Sequence, residues 1–267
     1  MNANSQYNGS RLTAHGSRLT AHGSRPELYI IAPAYNESQN ILQFIEDWYP
    51  VIERHNANNL SRLVIIDDGS KDDTYKILQD SARGKNLLLP LTKKNGGHGS
   101  ALLYGYKYAI DNGAEFIFQT DSDGQTLASE FESFWEQRNN YSAILGKRPD
   151  RKDGASRKFV ENTLRMILRV IFGVRVPDAN CPFRLMRSEL VAKYIDRMPK
   201  DFNLPNVMLT TYFAYYREKI NFCDVTFRPR QGGVNSINIR KIIKIGMKAV
   251  KDFYMLKKSL TQCERSS

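Results

Sequence analysis

The sequence predicts an α/β fold in which a mainly parallel sheet is covered by helices on both faces, with a C-terminal amphipathic helix after it. From residue 27 onward, short and continuously apolar runs alternate with segments of helical periodicity. Such runs are typical of strands buried on both sides, and their alternation with helices is typical of parallel sheets. Polar motifs directly follow several of the runs, at the position where open parallel sheets bind their ligands.

The predicted elements succeed one another at short intervals. In the first helix, Ile41, Phe44 and Trp48 share one face because they are three or four residues apart. We expect one domain over residues 27–238, followed by a basic amphipathic helix and tail over residues 239–267. The predicted strands are residues 28–32, 62–66, 86–91 and 115–119, and the predicted helices are residues 38–54, 72–81 and 99–112.

A short repeat precedes the domain. Residues 9–15 recur letter for letter as residues 16–22, and a third copy begins at Gly23. A seven-residue unit with one leucine per copy cannot bury a core by stacking. We therefore expect residues 1–26 to be a disordered, repeat-containing tail.

The composition favours a soluble globular domain. Hydrophobic residues make up 41% of the 267 residues. No run of about 18 apolar residues is present, so no membrane span is predicted, and the first residues lack the apolar core of a secretory leader. The three cysteines are widely scattered, which fits neither a disulfide framework nor a zinc site and favours a reducing, cytoplasmic setting.

The net charge of +11 indicates an anionic partner, which can be a nucleic acid, a membrane surface or a phosphorylated substrate. No nucleic-acid-binding motif accompanies the charge, and the aromatic residues are not organised with it. We therefore expect no nucleic-acid partner. Assembly into a homo-oligomer is left open.

Two carboxylates follow the fourth predicted strand. Asp121 and Asp123 are two residues apart, so they point the same way while the chain is extended. With Gln125 as a neutral oxygen ligand, they form a candidate site for Mg²⁺ or Mn²⁺, which prefer oxygen. Such an ion would offset the charge of a bound diphosphate. The alternative interpretation is a solvated acidic turn.

Polar residues also follow other predicted strands. Asp68 follows the second strand, and its carboxylate is a candidate to bind a nucleobase or a ribose hydroxyl, whereas the acidic pair 72–73 is expected mostly to cap the next helix. The glycine-rich segment 95–100 precedes a helix, so backbone N–H groups such as that of Gly97 are candidates to face phosphate or sugar. The match to a dinucleotide-binding motif is weak, and His98 is either a ligand contact or a polar loop residue.

In order and spacing, these motifs resemble those of the family 2 glycosyltransferases, which have the Rossmann-like GT-A fold. The likeness is strongest to the enzymes that transfer sugars to polyprenyl phosphates, and it covers roughly residues 27–240. The segments that carry it are Pro33-Ala34-Tyr35-Asn36-Glu37, Asp67-Asp68-Gly69-Ser70, Asn95-x-Gly97-x-Gly99, Asp121-x-Asp123-x-Gln125, Gly146-Lys147-Arg148, Ser156-Arg157-Lys158, Asp178-x-x-Cys181-x-Phe183-Arg184 and Arg230-x-x-Gly233-x-Asn235-Ser236.

The resemblance implies inverting transfer of a sugar from a UDP- or GDP-sugar, with Mg²⁺ or Mn²⁺ as cofactor. It implies that Asp121, Asp123 and Gln125 ligate the metal. The motif arginines are expected to face phosphates of donor or acceptor, unless they are ordinary surface residues. The implied nucleotide-sugar-binding residues are Pro33, Tyr35, Glu37, Asp68, Gly97, Asp121, Ser122 and Arg230, and the implied catalytic residues are Asp123, Arg148, Arg157 and Asp178.

Polyprenyl phosphate is the acceptor that the resemblance favours. The alternatives are a saccharide hydroxyl in cell-surface polysaccharide synthesis, or a non-catalytic nucleotide-binding module. A hydroxyl acceptor needs a base, for which Asp178 is the candidate, whereas a phosphate monoester is already largely dianionic near neutrality. Asp178 can instead be a turn residue after Pro177.

The sequence departs from the lipid-linked enzymes at Cys181-Pro182 and Ser236, and the transmembrane helices that many of them carry are not predicted here.

Two basic segments have an apolar stripe at helical spacing. The stripe of the C-terminal helix includes Ile239 and Tyr254 and lies beside Lys244 and Lys248. Residues 157–174 have the same character. A basic amphipathic helix is typical of a membrane-surface element, here a peripheral contact on the cytoplasmic face. The stripe of the C-terminal helix can instead dock on the domain, and residues 157–174 can form part of the same lipid-facing side.

Overall fold

In the computed structural model, seven strands form a sheet in the order β3-β2-β1-β4-β6-β5-β7. The structure describes residues 27–57, 59–149, 155–199, 202–228 and 250–258, with the backbone alone over residues 155–159. The strands are β1 (Leu28–Ala34), β2 (Arg62–Asp67), β3 (Leu88–Thr92), β4 (Phe116–Gln119), β5 (Ala143–Lys147), β6 (Arg184–Arg187) and β7 (Ile220–Asp224).

Strands β3, β2, β1 and β4 are parallel neighbours, as predicted. Their carboxyl ends share one edge, since Ala34 pairs with Asp67 and Asp67 pairs with Thr92. The motifs that follow β1, β2 and β4 therefore begin at the same edge of the sheet. Strand β3 begins two residues later than predicted because the chain first makes a turn, in which the Leu88 N–H donates to the carbonyl of Lys85.

Strand β6 runs antiparallel to both of its neighbours, which the sequence did not indicate. Its first residue, Arg184, pairs with Gln119 at the carboxyl end of β4 and with Leu145 of β5. The loop that precedes β6 therefore reaches the same edge as the motifs of the parallel strands. Strand β7 is parallel to β5. The sheet is thus mixed but mainly parallel, and the predicted α/β fold class is confirmed.

Helices cover both faces of the sheet. Along β1, Leu28 and Ile30 pack into the layer with α1 and α4, whereas Tyr29 and Ile31 pack into the layer with α3, α5, α6 and α7. This alternation follows from the period of two in a strand. The helices are α1 (Ile41–Arg54), α2 (Thr74–Ala82), α3 (His98–Asp111), α4 (Phe131–Trp135), α5 (Ala155–Phe172), α6 (Ser188–Ile195) and α7 (Pro205–Tyr215).

Residues 250–258 are helical and pack against the second of these layers. The ring of Phe253 is buried, and its centroid lies 6.2 Å from that of Phe172 at the end of α5. The described parts of both predicted stripes thus dock on the domain, although Tyr254 is exposed. Residues 239–249 of the predicted C-terminal helix and the N-terminal residues 1–26 lie outside the described residues. No helix in the described ranges combines the length and hydropathy needed to cross a bilayer.

Candidate functional site

A cavity of about 890 Å³ opens at the carboxyl edge of the parallel strands. The three strand-end motifs and the glycine-rich segment, which are far apart in sequence, all contribute to its wall. Its lining residues are Pro33, Ala34, Tyr35, Asn36, Glu37, Ser38, Gln39, Asn40, Asp68, Asp72, Asn95, Gly97, His98, Ala101, Asp121, Ser122 and Asp123. The structure thus brings together eight of the predicted site residues: Pro33, Tyr35, Glu37, Asp68, Gly97, Asp121, Ser122 and Asp123.

Hydrogen bonds tie the loop after β1 to the loop after β2. Asn36 adopts a positive φ of 54°, a conformation that asparagine tolerates better than most residues, and its N–H donates to Ser70 Oγ at 2.9 Å. Its Oδ1 accepts from the Lys71 N–H at 2.8 Å. The Glu37 N–H donates to Thr74 Oγ1 at 2.8 Å. These bonds fix the wall on which the half-exposed Tyr35 lies.

Asp68 is buried and holds the glycine-rich segment in place. Its carboxylate accepts from Lys93 Nζ at 2.6 Å, from the Gly96 N–H at 3.0 Å and from the Gly97 N–H at 2.7 Å. Gly97 has a φ of 87°, which leads the chain into α3 and is unfavourable for residues with a Cβ. Asp68 therefore shapes the cavity, and its expected contact with the nucleotide stays a prediction.

Asp72, rather than Asp73, makes the capping contacts of α2. Its carboxylate accepts from the Thr74 N–H at 3.1 Å and from the Ser38 N–H at 3.2 Å. Slight burial raises the pKa of Asp72, but the hydrogen bonds from Thr74 and Ser38 outweigh burial, so its pKa is lowered. Asp73 occupies the N-cap position without a side-chain capping bond. The prediction that the acidic pair 72–73 mostly caps α2 thus agrees with the contacts of Asp72, whereas Asp73 makes no capping bond.

The loop after β4 is anchored so that its acidic residues face the cavity. Ser122 Oγ donates to the Pro33 carbonyl at 2.7 Å, which joins this loop to the end of β1. Asp123 Oδ1 accepts from the Gln125 N–H at 3.2 Å, and Gly124 between them has a φ of 73°. Asp121 and Asp123 both line the cavity as a result.

His98, which sequence reasoning left between two interpretations, lies beside the acidic pair. Its Nε2 is 3.1 Å from Asp121 Oδ1. Partial desolvation lowers the pKa of the imidazole, but the carboxylates of Asp121 and Asp123 outweigh it, so the pKa of His98 is raised. The signal for this residue was its place in the glycine-rich segment, but pairing with Asp121 depends on the packing of α3 against the sheet, which no local pattern carries.

The donor atoms at this edge fit Mg²⁺ or Mn²⁺. In the described ranges, no group of three or more His, Cys, Asp or Glu side chains is arranged to hold a metal. Mg²⁺ sites typically use one or two carboxylates together with substrate phosphates and water, which the Asp121–Asp123 pair can provide. Gln125 does not line the cavity, and its Nε2 donates to the Arg228 carbonyl at 2.9 Å. Its role as a third ligand stays a prediction.

The predicted acceptor-side residues form a buried ion pair. Arg148 Nε and Nη2 donate to the two carboxylate oxygens of Asp178 at 2.7 Å and 3.0 Å, and both side chains are at most 5% exposed. Desolvation lowers the pKa of the Arg148 guanidinium, but the bonds to Asp178 outweigh it and raise the pKa. Neither residue lines the cavity. Arg157 lies in α5 with an undescribed side chain, and Arg230 lies outside the described residues.

Comparison with known proteins identifies relatives. An undecaprenyl-phosphate 4-deoxy-4-formamido-L-arabinose transferase of Pectobacterium atrosepticum is 24% identical over 219 residues, which cover 81% of this chain and 64% of that protein. A dolichyl-phosphate beta-glucosyltransferase of Trichomonas vaginalis is 31% identical over 182 residues, covering 61% of this chain and 55% of that protein. This chain therefore spans less than two thirds of the length of either relative.

A solved structure shares the fold of this chain, and a family profile matches its sequence. The crystal structure of glucosyl-3-phosphoglycerate synthase from Mycobacterium tuberculosis with Mn²⁺, UDP and glucosyl-3-phosphoglycerate has a TM-score of 0.63 at 15% identity, covering 94% of this chain and 87% of that chain. The profile of glycosyl transferase family 2 matches residues 29–195, which is more than half of the sequence. The chain belongs to glycosyl transferase family 2.

Proposed function

We propose that the protein is an inverting, metal-dependent glycosyltransferase that moves a sugar from a UDP- or GDP-sugar to polyprenyl phosphate. The observation that carries the proposal is the cavity at the carboxyl edge of the sheet, where the three strand-end motifs meet. Its volume of about 890 Å³ is within the range of small-molecule sites. The proposal extends to the domain arrangement, with residues 27–238 as the catalytic domain.

The donor end of the cavity suits a nucleotide diphosphate. The carboxylates of Asp121 and Asp123 would hold Mg²⁺ or Mn²⁺, which when bound supplies positive charge to the departing diphosphate. The backbone N–H groups at the start of α3 add a site that favours phosphate. The solved complex of the mycobacterial synthase contains UDP and Mn²⁺, and a structure of Staphylococcus aureus TarS with a TM-score of 0.53 contains UDP-GlcNAc. Both support a nucleotide-sugar donor.

The buried pair favours a phosphate acceptor over a hydroxyl acceptor. Asp178 accepts from Arg148 through both oxygens, is 2% exposed and does not line the cavity, so it is poorly placed to take a proton from a sugar hydroxyl there. A phosphate monoester needs no base because it is already largely dianionic near neutral pH. The two relatives named for undecaprenyl-phosphate and dolichyl-phosphate acceptors support the same choice.

A lipid-linked acceptor requires the protein to reach a membrane, and α5 offers a suitable face. The side of α5 that points away from the core carries Met166, which is 65% exposed, and Val170, which is 78% exposed. Arg165 and Arg169 are also exposed, and each lies about 100° round the helix from the apolar residue that follows it, so the arginines border the apolar side chains. Apolar side chains flanked by arginines are better accommodated at an anionic lipid surface than in water, because the lipid buries the apolar groups and its charge attracts the arginines.

The helical segment 250–258 extends this face. It packs beside the end of α5 and exposes Tyr254 at 66% and Met255 at 59%, together with Lys251 and Lys258. We propose that these exposed residues of α5 and of the segment 250–258 form the lipid face of a peripheral enzyme on the cytoplasmic side of the membrane.

The decisive assay offers radiolabelled UDP- and GDP-sugars with and without undecaprenyl phosphate, followed by extraction into organic solvent. We expect label in the organic phase only when the lipid is present, and only with wild-type protein rather than the Asp123→Asn variant. Label that stays aqueous but joins a saccharide would support the hydroxyl acceptor instead. Donor binding without turnover for any acceptor would support a non-catalytic nucleotide-binding module.

The lipid face is tested by sedimentation with vesicles. Wild-type protein should sediment with phosphatidylglycerol-containing vesicles and much less with phosphatidylcholine alone. Replacing Met166 and Val170 by serine should weaken binding by at least about tenfold, since about 1.4 kcal/mol is a factor of ten and the double change removes more than two methylene equivalents at about 0.8 kcal/mol each. The control is Leu42→Ser on α1, where an apolar side chain is 52% exposed but lies outside the proposed face. Equal binding by all three proteins would contradict the proposal.

A further inference from the structure

A chain of buried polar side chains begins at the candidate metal site and runs through the core. Gln119, the last residue of β4, donates from Nε2 to Asp121 Oδ1 at 3.4 Å. The Tyr106 hydroxyl of α3 lies 3.2 Å from Gln119 Oε1 and 3.1 Å from Asn206 Oδ1 at the start of α7. Gln119 and Tyr106 are fully buried, and Asn206 is 2% exposed. The three side chains thus link Asp121 to α7 without reaching solvent.

The chain continues to the loop that carries Asp178. The Asn206 carbonyl accepts from Arg184 Nη1 at 3.2 Å, and Arg184 also donates through Nε and Nη2 to the Cys181 carbonyl at 3.2 Å and 2.9 Å. Cys181 lies three residues after Asp178, which is itself clamped by Arg148. The buried chain therefore has the metal-side carboxylate at one end and the acceptor-side ion pair at the other.

Arg184 is an unusual member because it is completely buried. Within the described ranges, the hydrogen bonds of its guanidinium go to backbone carbonyls and to the Thr210 hydroxyl, and none goes to a carboxylate. A buried charge held in this way does not stabilise a fold more than apolar packing would. A satisfied polar network does, however, specify one geometry, because each member has few alternative partners.

We propose that Tyr106 is a positioning residue that keeps the donor-side carboxylate Asp121 and the acceptor-side loop at residues 178–181 in a fixed relation. Its hydroxyl joins β4, through Gln119, to α7 and Arg184. The inference rests on the proposed function, since it assigns Asp121 to the metal. No atom of Tyr106 lines the cavity, so its effect acts through the residues that it orders.

The test is Tyr106→Phe, which removes the hydroxyl and keeps the ring. Loss of a residue that orders a ligand typically weakens metal affinity or activity by about 10- to 100-fold. We expect Mn²⁺ binding in the presence of UDP, followed by the electron paramagnetic resonance signal of free Mn²⁺, to weaken by about tenfold. The kcat should fall by a similar factor while the KM for the nucleotide sugar changes less than about twofold.

Tyr194→Phe is the matched control. Tyr194 is also fully buried, and its hydroxyl bonds to Glu218, a residue that does not line the cavity. This variant should lose a comparable amount of thermal stability while Mn²⁺ binding and kcat stay at wild-type values. Gln119→Met is a second variant that cuts the chain one step nearer to Asp121 and should weaken Mn²⁺ binding at least as much as Tyr106→Phe.

The outcomes separate this inference from the proposed function. If wild-type protein binds Mn²⁺ with UDP, and both Tyr106→Phe and Gln119→Met bind it equally well and turn over at the wild-type rate, the positioning role is overturned and the proposed function stands. If wild-type protein binds no Mn²⁺ with either UDP or GDP, both are overturned.

Discussion

The proposed donor-side and acceptor-side halves of the site hold their carboxylates in opposite ways. At the donor edge, the Asp121 side chain is 26% exposed and faces the cavity, with a histidine as its neighbour. On the acceptor side, the Asp178 side chain is 2% exposed and is neutralised by Arg148. The negative charge of Asp121 is therefore available to a cation, whereas that of Asp178 is balanced by the Arg148 guanidinium. Asp121 faces the cavity and Asp178 does not, and the role of Asp178 as a base stays a prediction.

Strand direction explains how the two halves come to share one edge. The donor half is built from parallel strands, whose carboxyl ends meet without further help. The acceptor half reaches the same edge because β6 is reversed, so that its first residue, Arg184, lies opposite the end of β4. The residues before β6, including Asp178, thereby reach this edge of the sheet from the other direction.

The largest effect is expected from breaking the donor half. Asp121→Asn keeps the shape of the side chain but removes the charge that would hold the metal, so turnover of nucleotide sugar should fall by about 10³-fold, equivalent to about 4 kcal/mol. The melting temperature should stay within a few degrees of wild type, because the change does not remove apolar burial. Steady-state kinetics and calorimetry measure the two effects. Turnover within threefold of wild type would contradict the assignment of Asp121.

Breaking the Arg148–Asp178 pair of the acceptor half should lower the stability of the fold. Arg148→Met leaves the Asp178 carboxylate buried without its guanidinium partner, which costs about 3–5 kcal/mol in comparable buried pairs. At about 2–4 °C per kcal/mol for a domain of this size, the melting temperature should fall by at least about 6 °C. Replacing Asp178 by leucine in the same protein should restore part of the loss. A double variant no more stable than Arg148→Met would show that the pair is not the source of the effect.

The same contrast separates what the sequence predicted from what it did not. Strands β1, β2 and β4 have continuous apolar runs followed by polar motifs, so local pattern was sufficient to place their ends together. Strand β6 reads Arg-Leu-Met-Arg, which has no such run, and its two arginines are typical of a surface segment. Its direction and the burial of Arg184 depend on contacts with α7 that no local pattern carries.

Contacts between residues that are far apart in sequence could not be predicted either. Arg148 and Asp178 are thirty residues apart in sequence, and each was identified as a site residue by resemblance alone. The sequence could not indicate that they would bind each other, because that contact requires β5 and the loop before β6 to meet. The same holds for the 103-residue separation between Gln125 and Arg228, whose bond uses the amide nitrogen of the predicted metal ligand.

A smaller effect is expected where the two halves touch. Gly99 in the first turn of α3 lies against the Phe202–Asn203 backbone ahead of α7, and an added Cβ would lie 2.8 Å from Asn203 Cα. Gly99→Ala should therefore destabilise the protein by about 1–3 kcal/mol, because neither backbone can easily give way. Gly84→Ala is the control, since nothing lies within 4 Å of the added Cβ, and its melting temperature should change little. Equal melting temperatures for the two variants would contradict the close approach.

The smallest expected effect is a difference in reactivity between two thiols, those of Cys181 and Cys223. Burial raises the pKa of Cys181, in the acceptor half, to about 12, whereas Cys223 on β7 is partly exposed. Because the thiolate is the reactive form, native Cys181 should resist N-ethylmaleimide at pH 8 and react fully in urea. A variant with Cys223 and Cys263 replaced by serine isolates the Cys181 signal for mass spectrometry.

The raised pKa of Cys181 also sets the sign of a pH effect. Its folded value of about 12 lies above the ordinary value of 9.0, so the folded state retains a proton that the unfolded state releases between these values. The contribution of this thiol to stability is therefore intact below pH 9 and is lost as the pH rises toward 12. Urea unfolding at pH 8 and pH 10.5 should show a smaller alkaline loss in Cys181→Ala than in wild type. Identical losses would mean that the thiol ionises as readily in the folded acceptor half as in the unfolded chain.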